Sequence, residues 1–296
     1  MKLAFSTENI SCPSFLELCD TAAEYGFSGI EIFDAGAEIA AHRDSLLDPA
    51  STADSRRKLV NRHLEAAALT YPDPICSATA PEPIADCVEL AANAGIQNVI
   101  IRFGAELPDG LESILTPAVK RAEEYGVAIL LETCGALAHT ERALEVINRF
   151  ATAALGTAWN IRETFFGGGE TADETIRTLG AYINYVRIGD RRGGTEVIIG
   201  DGELPVRDFM NALRSLNYDG FICTDRNSEI TEPDVVLTHF VNYMNGAEER
   251  KPTENIYYNR SRTGTFPWKK FDTVDLTFSQ VLDEMAERYP DQYAFK

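Results

Sequence analysis

Short strand-like and helix-like segments alternate along about 245 residues, and this alternation constrains the fold more than any other feature of the sequence. Runs of β-branched and apolar residues predict strands, and apolar residues at three- and four-residue spacing predict helices. Eight strand-then-helix units result. The predicted strands are 2–6, 28–33, one within 69–78, 98–104, 127–133, 152–160, 183–190 and 220–225, and the predicted helices are 14–25, 54–67, 82–94, 111–125, 140–150, 171–180, 205–216 and 233–245.

An α/β chain with this pattern folds either as an open, doubly wound sheet or as a closed barrel. Eight units in this length fit the barrel. No Gly-x-Gly-x-x-Gly follows the first strand, which argues against a dinucleotide-binding open sheet. We therefore predict a (β/α)₈ TIM barrel over residues 1–246. Residues 247–267 are polar and rich in turn formers, which predicts a linker between the barrel and a C-terminal tail.

The amino-acid composition limits which kinds of partner the chain is expected to bind and in which cellular compartment we expect it. The chain is 45% hydrophobic and 25% charged, which provides enough apolar material for a sizeable core. Its net charge of −19 disfavours binding to nucleic acid or to an anionic membrane surface. No apolar run reaches the ~18 residues of a membrane helix. The six cysteines are scattered without a Cys-x-x-Cys pair, which predicts free thiols in a reducing cytoplasm. A homo-oligomer is compatible with these features.

Polar side chains gather at the predicted strand ends, where (β/α)₈ barrels carry their active sites. Carboxylates and guanidinium groups in one mouth suit a small polar or anionic ligand, such as a polyol or a sugar phosphate. The same groups could instead form a structural ion-pair network that closes the barrel, and spacing alone does not separate the two interpretations. The residues at these ends include Glu31, Arg102, Glu132, Asn160, Arg162, Glu163, Arg187, Asp190, Asp225 and Arg226.

Four segments resemble the xylose isomerase-like barrels of the sugar phosphate isomerase/epimerase superfamily. They are GFSGIEIF at the second strand, VAILLETCG at the fifth, YVRIGD at the seventh and GDGELPVRDFMNALRSLNYDGFICTD around the eighth. The last segment is the most specific, because it contains the G-x-G-E turn, the helix and the Y-D-G strand of that family. The resemblance covers residues 1–246 and implies a TIM barrel with sugar isomerase or epimerase chemistry.

The resemblance also implies a divalent metal, held by Glu, Asp, His and Glu from the fifth to the eighth strands, with a further His three residues after the Asp. Here the four ligand positions are Glu132, Asn160, Arg187 and Asp225, and the further position is Glu163. A guanidinium stays protonated and has no free lone pair, so Arg187 cannot be a ligand. We expect no metal and predict that Arg187 replaces it by bridging Glu132 and Asp225. If manganese, magnesium or zinc does bind, Glu132, Asn160 and Asp225 would hold it.

Three hypotheses about function follow. In the first, the barrel binds a small sugar or hydroxy acid without a metal; as an isomerase, epimerase or lyase it would move protons through carboxylates and stabilise an oxyanion with Arg187. In the second, it is a non-catalytic docking or oligomerisation barrel. In the third, it is a metal-dependent sugar phosphate isomerase or epimerase. The candidate catalytic residues are Glu132, Asp225, Arg187 and Glu163, and the candidate substrate-binding residues are Asn160, Arg102, Asp190, Arg226 and Glu31.

Residues 268–296, WKKFDTVDLTFSQVLDEMAERYPDQYAFK, resemble the opening of AMP-dependent synthetases and ligases of the acyl-CoA synthetase kind. This resemblance implies that the barrel is the N-terminal part of a fusion protein and that its own ligase domain is its partner. ATP would serve that domain and not the barrel. The matching positions are Thr277, Phe278, Leu282, Ala286, Tyr289, Pro290, Asp291 and Ala294.

Overall fold

The eight predicted units fold into a closed barrel of eight parallel strands, which confirms the predicted fold class. The structure is a computed structural model that describes residues 1–10, 12–225 and 233–249. Arg226 and most of the predicted linker and tail, 250–296, lie outside the described residues. The strands are β1 (Lys2–Ser6), β2 (Gly29–Phe33), β3 (Glu65–Thr70), β4 (Asn98–Ile101), β5 (Ala128–Glu132), β6 (Leu155–Asn160), β7 (Ile183–Ile188), the hairpin strands β8 (Asp190–Arg192) and β9 (Thr195–Val197), and the last barrel strand β10 (Phe221–Thr224).

The helices lie between these strands in the order that the sequence predicts. Strand neighbours around the barrel run β1, β10, β7, β6, β5, β4, β3 and β2, and β8 pairs with β9 as a separate antiparallel hairpin. None of the described helices combines the length and the apolar character needed to cross a membrane. The helices are α1 (Phe15–Tyr25), α2 (Ala35–Ala41), α3 (Thr52–Asn61), α4 (Pro81–Ala94), α5 (Leu111–Tyr125), α6 (Thr140–Phe150), α7 (Ala172–Leu179), α8 (Val206–Ser215) and α9 (Pro233–Glu249).

Local sequence explains where several helices begin and end. Helix α7 begins at a capping box, in which the Thr171 side chain and the Glu174 side chain each bind the other's backbone amide. Helix α5 ends at Gly126, whose φ of 68° lies in the left-handed region that closes a helix without a Cβ penalty. Signals of this kind are short and local, so the predicted helix 111–125 coincides with α5.

The inside of the barrel is filled by a layer of mostly small apolar side chains, and a polar layer lies above it. Because side chains of a strand alternate between its two faces, the residue two positions later points the same way. The inner apolar cluster contains Ile100, Leu130, Ala158, Tyr185 and Cys223. The next inward positions on the same strands are therefore Arg102, Glu132, Asn160, Arg187 and Asp225, which places all five at the C-terminal mouth of the barrel.

Three sequence predictions about secondary structure are wrong. The third strand is not within 69–78 but over Glu65–Thr70, and the helix predicted to reach residue 67 ends at Asn61. Helix propensity of Glu-Ala-Ala-Ala is overridden here, because His63 adopts a positive φ of 57° that turns the chain into the barrel. The seventh strand ends at Ile188, two residues before the prediction.

Candidate functional site

Arg187 is the centre of a buried cluster on one side of the mouth. Its guanidinium reaches from β7 across the barrel, and Nη2 forms an ion pair with Glu31 Oε1 on β2. The Thr70 hydroxyl joins these groups, since it accepts from Arg187 Nη2 at 3.1 Å and donates to Glu31 Oε1 at 3.0 Å. Arg187 Nη1 lies 3.9 Å from Glu132 Oε1. The guanidinium is therefore a fixed cation between two carboxylates.

The predicted bridge from Arg187 to Glu132 and Asp225 is wrong in its second partner. Arg187 lies between Glu31 and Glu132, whereas Asp225 Oδ2 is paired with Arg162 Nη2 at 2.9 Å. The physical reason is the length of the arginine side chain, which carries the charge of Arg187 beyond its neighbouring strand β10. Arg162, which directly follows β6, is the closer cation for Asp225.

Asn160 connects the two carboxylates that the sequence paired. Its Nδ2 donates to Glu132 Oε1 at 2.9 Å and to Asp225 Oδ2 at 3.3 Å. Its Oδ1 accepts from the backbone N–H of Glu163 at 3.2 Å. Because a backbone N–H needs an acceptor, this bond fixes the amide with its nitrogen towards the carboxylates. The amide oxygen thus faces away from Glu132 and Asp225.

These residues, as arranged, do not fit a divalent metal ion. Such ions need anionic oxygen or neutral nitrogen ligands, but the mouth presents a guanidinium at Arg187 and an N–H donor at Asn160. In the part of the chain that the structure describes, no three His, Cys, Asp or Glu side chains are grouped to hold a metal. The ligand set Glu132, Asn160 and Asp225 would require the Asn160 amide to turn over and leave the Glu163 N–H without its acceptor.

Burial and charge act against each other in the Arg187 cluster. Glu31, Glu132 and Arg187 are 0%, 3% and 3% exposed, respectively. Burial raises the pKa of the Glu132 carboxyl, and the attraction of Arg187 lowers it only in part. Burial alone would lower the pKa of Arg187, but the attraction of Glu132 and Glu31 outweighs it and raises that pKa well above its ordinary value. The guanidinium is therefore charged at every accessible pH.

The Arg187 cluster, which consists of Glu31, Thr70, Glu132 and Arg187, also contains polar atoms that are available for further hydrogen bonds. Glu31 Oε2, Glu132 Oε2 and Arg187 Nε are buried and have no hydrogen-bond partner among the residues that the structure describes. A buried polar atom without a partner costs about 1–3 kcal/mol, so such atoms mark positions where a ligand or water would be stabilised. A ligand hydroxyl both donates and accepts hydrogen bonds, so it could donate to one of the two carboxylate oxygens and accept from the Arg187 N–H.

A second cluster, around Arg162, has its groups paired. Arg162 Nη1 lies 2.7 Å from Glu196 Oε1 of β9, and its Nε lies 3.2 Å from Glu163 Oε1. Arg191 of β8 also pairs with Glu163, at 2.9 Å. These bonds attach the β8–β9 hairpin to the mouth. A cavity of about 20 Å³ beside Arg162 and Asp225 has room for about one water molecule.

Asp190, a predicted substrate-binding residue, organises the loop that follows β7. Its carboxylate accepts backbone N–H bonds from Arg191 at 2.8 Å and from Gly200, Gly202 and Leu204 at 3.0 Å each. Gly202 packs so closely against this carboxylate that a side chain there would overlap it. The G-x-G-E turn in the sequence is therefore explained by loop geometry, and a role of Asp190 in binding substrate stays a prediction.

Sequence reasoning missed Thr70, Glu196 and Arg191 as members of the mouth. Thr70 was not considered because the third strand was placed too far along the chain. The hairpin carries a recognisable signal, the Gly193–Gly194 dipeptide of RRGGTEV, which is typical of a tight turn between strands. Of the predicted site residues, the structure brings together Glu31, Glu132, Asn160, Glu163, Arg187 and Asp225, leaves Arg102 and Asp190 apart from both ion-pair clusters, and does not describe Arg226.

Comparison with known proteins agrees with this architecture. The family described as xylose isomerase-like TIM barrel matches residues 19–238. Among solved structures, a D-tagatose 3-epimerase-like protein is 21% identical with a TM-score of 0.65, covering 84% of this chain and 99% of its own. The 3-keto-D-glucoside 4-epimerase YcjR from E. coli is 15% identical with a TM-score of 0.67, covering 83% and 99%.

A third solved structure, the probable 3-DHS dehydratase AsbF involved in petrobactin synthesis from Bacillus anthracis, is 14% identical with a TM-score of 0.69, covering 83% of this chain and 99% of its own. At these identities the likeness shows the fold alone. A search of curated protein sequences found no match. The family match does not extend to 268–296, so the resemblance of that segment to ligases stays a prediction. Because this family's model matches more than half of the chain, the chain belongs to the xylose isomerase-like TIM barrel family.

Proposed function

We propose that the barrel binds a small polar ligand of the sugar or hydroxy-acid class at its mouth and does so without a divalent metal. One observation carries this proposal: Arg187 stands between Glu31 and Glu132, at the position where the family resemblance implies a metal-binding histidine. A fixed guanidinium supplies positive charge there in place of an ion. The unpartnered atoms of the three residues supply bonds for the ligand.

The same geometry suits proton transfer next to a carbonyl group. Glu132, whose pKa is raised by burial, is suited to hold and release a proton, and Asp225 lies on the other side of the shared Asn160 amide. Arg187 would stabilise the oxyanion that forms when a proton leaves the adjacent carbon. An isomerase, epimerase or lyase reaction of this type is therefore the proposed chemistry. The three similar structures are an epimerase-like protein, an epimerase and a probable dehydratase, which supports the same reaction class.

Thermal unfolding with a panel of probes tests this proposal. A ligand at 100 times its dissociation constant adds about 2.7 kcal/mol of stability, which is several degrees for a domain of this size. We expect a shift with D-fructose or a related ketose that Glu132→Gln removes, and none with Mn²⁺, Mg²⁺ or Zn²⁺. Glu65→Gln, at the opposite end of the barrel, is the matched control. A metal-induced shift that disappears in Glu132→Gln would restore the metal-dependent interpretation.

A second candidate function is a non-catalytic barrel for docking or oligomerisation. It is favoured by the near-complete burial of Glu31, Glu132 and Arg187, whose charges are paired with one another. In that case the mouth is a structural plug, and no probe would bind. Sedimentation of the wild-type chain and of Arg187→Met would then show whether the intact mouth is needed for self-association.

The tail resemblance supports a related proposal, that the barrel works beside an AMP-dependent ligase in the cytoplasm. ATP–pyrophosphate exchange by the product of the complete gene tests it directly. Exchange that depends on an added carboxylic acid is the expected result. A complete gene product without any such exchange would count against the fusion.

A further inference from the structure

Among the described arginines of the mouth, Arg102 differs from the others because no described carboxylate is paired with it. Arg187, Arg162 and Arg191 are ion-paired with Glu or Asp. Arg102 occupies an inward position after β4, and among the described residues no carboxylate lies within 4 Å of its guanidinium. The chain has 46 acidic against 27 basic residues, so a partly buried arginine without a counter-charge is not explained by a shortage of acids.

The Arg102 guanidinium is nevertheless held in a defined place. Its Nη2 donates to the Pro72 carbonyl oxygen at 2.6 Å, and its central carbon lies 5.4 Å from the centre of the Phe33 ring. Its Nε is buried, and no described residue forms a hydrogen bond with it. A guanidinium has five N–H donors, and these contacts use a small part of them. A guanidinium that is held in place and has N–H donors to spare is suited to bind a carboxylate or phosphate group.

The charges elsewhere in the mouth leave few places for an anion. An anionic group next to Arg187 would meet the carboxylates of Glu31 and Glu132, and one next to Arg162 would meet that of Asp225. At Arg102 no carboxylate of the described chain balances the positive charge. An anionic group there would lie next to the Arg187 cluster, because Phe33, which ends β2, comes two residues after Glu31, and Pro72, just beyond β3, comes two residues after Thr70.

We infer that Arg102 is an anion-binding residue that anchors the carboxylate or phosphate group of the ligand while its hydroxyl-bearing part faces Glu31 and Glu132. This inference rests on the proposed function and narrows its ligand class to sugar acids and sugar phosphates over uncharged sugars. The purely structural alternative is that Arg102 holds the loop after β3 through the Pro72 carbonyl. The two differ in what happens to anion binding when the charge is removed.

Isothermal titration calorimetry with four proteins and three probes makes this test. The proteins are the wild type, Arg102→Gln, Arg102→Lys and the control Arg56→Gln, which alters an arginine of α3 that also donates to backbone carbonyls. The probes are D-fructose 6-phosphate, D-gluconate and D-fructose. We expect an anionic probe to bind more tightly than D-fructose and Arg102→Gln to weaken it about tenfold, the loss of one charge-assisted hydrogen bond. Arg102→Lys should recover part of this affinity, and Arg56→Gln should match the wild type.

The results separate this inference from the proposed function. If both anionic probes bind Arg102→Gln as well as the wild type, or if D-fructose binds and neither anion does, the role of Arg102 is wrong while ligand binding at the mouth stands. If no probe binds the wild type, both are wrong. If Arg102→Gln weakens the binding of D-fructose 6-phosphate, Arg102 binds a phosphate group; if it weakens the binding of D-gluconate, Arg102 binds a carboxylate. Far-UV circular dichroism shows whether Arg102→Gln is folded, and Arg102→Lys provides the comparison if it is not.

Discussion

The two charged clusters of the mouth are built from the same kinds of residue but differ in how completely they are satisfied. Around Arg162, the ion pairs attach the β8–β9 hairpin and connect the ends of β6 and β10, which lie on either side of β7. Around Arg187, two carboxylates share one guanidinium, and three polar atoms are left without partners. Charge alone therefore does not distinguish a ligand site from a structural ion-pair network. Buried polar atoms without a partner favour a ligand site, and in the described part of the mouth the Arg187 cluster has three of them.

The largest effect should come from removing the shared cation. Arg187→Met leaves Glu31 and Glu132 buried without their counter-charge, and breaking a buried ion pair of this kind costs about 3–5 kcal/mol. Urea unfolding at pH 7 measures the loss. The double variant Arg187→Met/Glu31→Gln should recover a substantial part of it, since the remaining carboxyl of Glu132 can take up a proton. No recovery in the double variant would mean that shape, not charge, makes Arg187 important.

An intermediate effect should appear as a dependence on pH. The folded-state pKa of Glu132 is raised above its ordinary value of 4.5, so between the two values the folded protein binds more protons than the unfolded chain. Stability contributed by this group is therefore present at and below pH 4.5 and is lost as the pH rises through the folded pKa. Relative to the wild type, Glu132→Gln should become progressively more stable over that range. Parallel unfolding curves from pH 4.5 to 8 measure the difference, and a constant difference would contradict the raised pKa.

The smallest effect should come from the Arg162 side. Glu196 is partly exposed, with 18% of its side chain accessible, and Arg162 keeps Asp225 and Glu163 as partners when Glu196 is changed. Glu196→Gln should therefore cost about 1 kcal/mol or less. Hydrogen exchange should increase at the amides of the β8–β9 hairpin and stay unchanged in β2 and β5. A loss as large as that of Arg187→Met would mean that the two clusters are equivalent.

The sequence predicts the architecture well because alternation and helix-end signals are local. The positions of Glu132, Asn160, Arg187 and Asp225 in one layer follow from the alternation of side chains along parallel strands. The third strand was misplaced because Glu65 to Ala68 has the composition of a helix, and its burial in the barrel is a property of the tertiary fold.

The pairing of side chains in the mouth was less predictable than their presence. Residue spacing shows that Arg187 points into the barrel, but not that its guanidinium passes strand β10 and reaches Glu31. Residue spacing also does not show that Arg162, which follows β6, forms an ion pair with Asp225. The partner of a long, flexible side chain depends on distances in the folded protein and on the other charges nearby. Neither can be deduced from the order of residues in the sequence.

The orientation of the Asn160 amide has a consequence for the history of this site. Asn160→Asp alone would set three carboxylates at one point of the mouth, and Arg187→His alone would deprive Glu31 of its cation. Each step towards a metal centre is therefore costly by itself, whereas the two together provide both a ligand and a balancing ion. On the proposal that Arg187 stands in for a metal ion, the two changes therefore form an epistatic pair, in which each alone is costly and the second offsets the cost of the first.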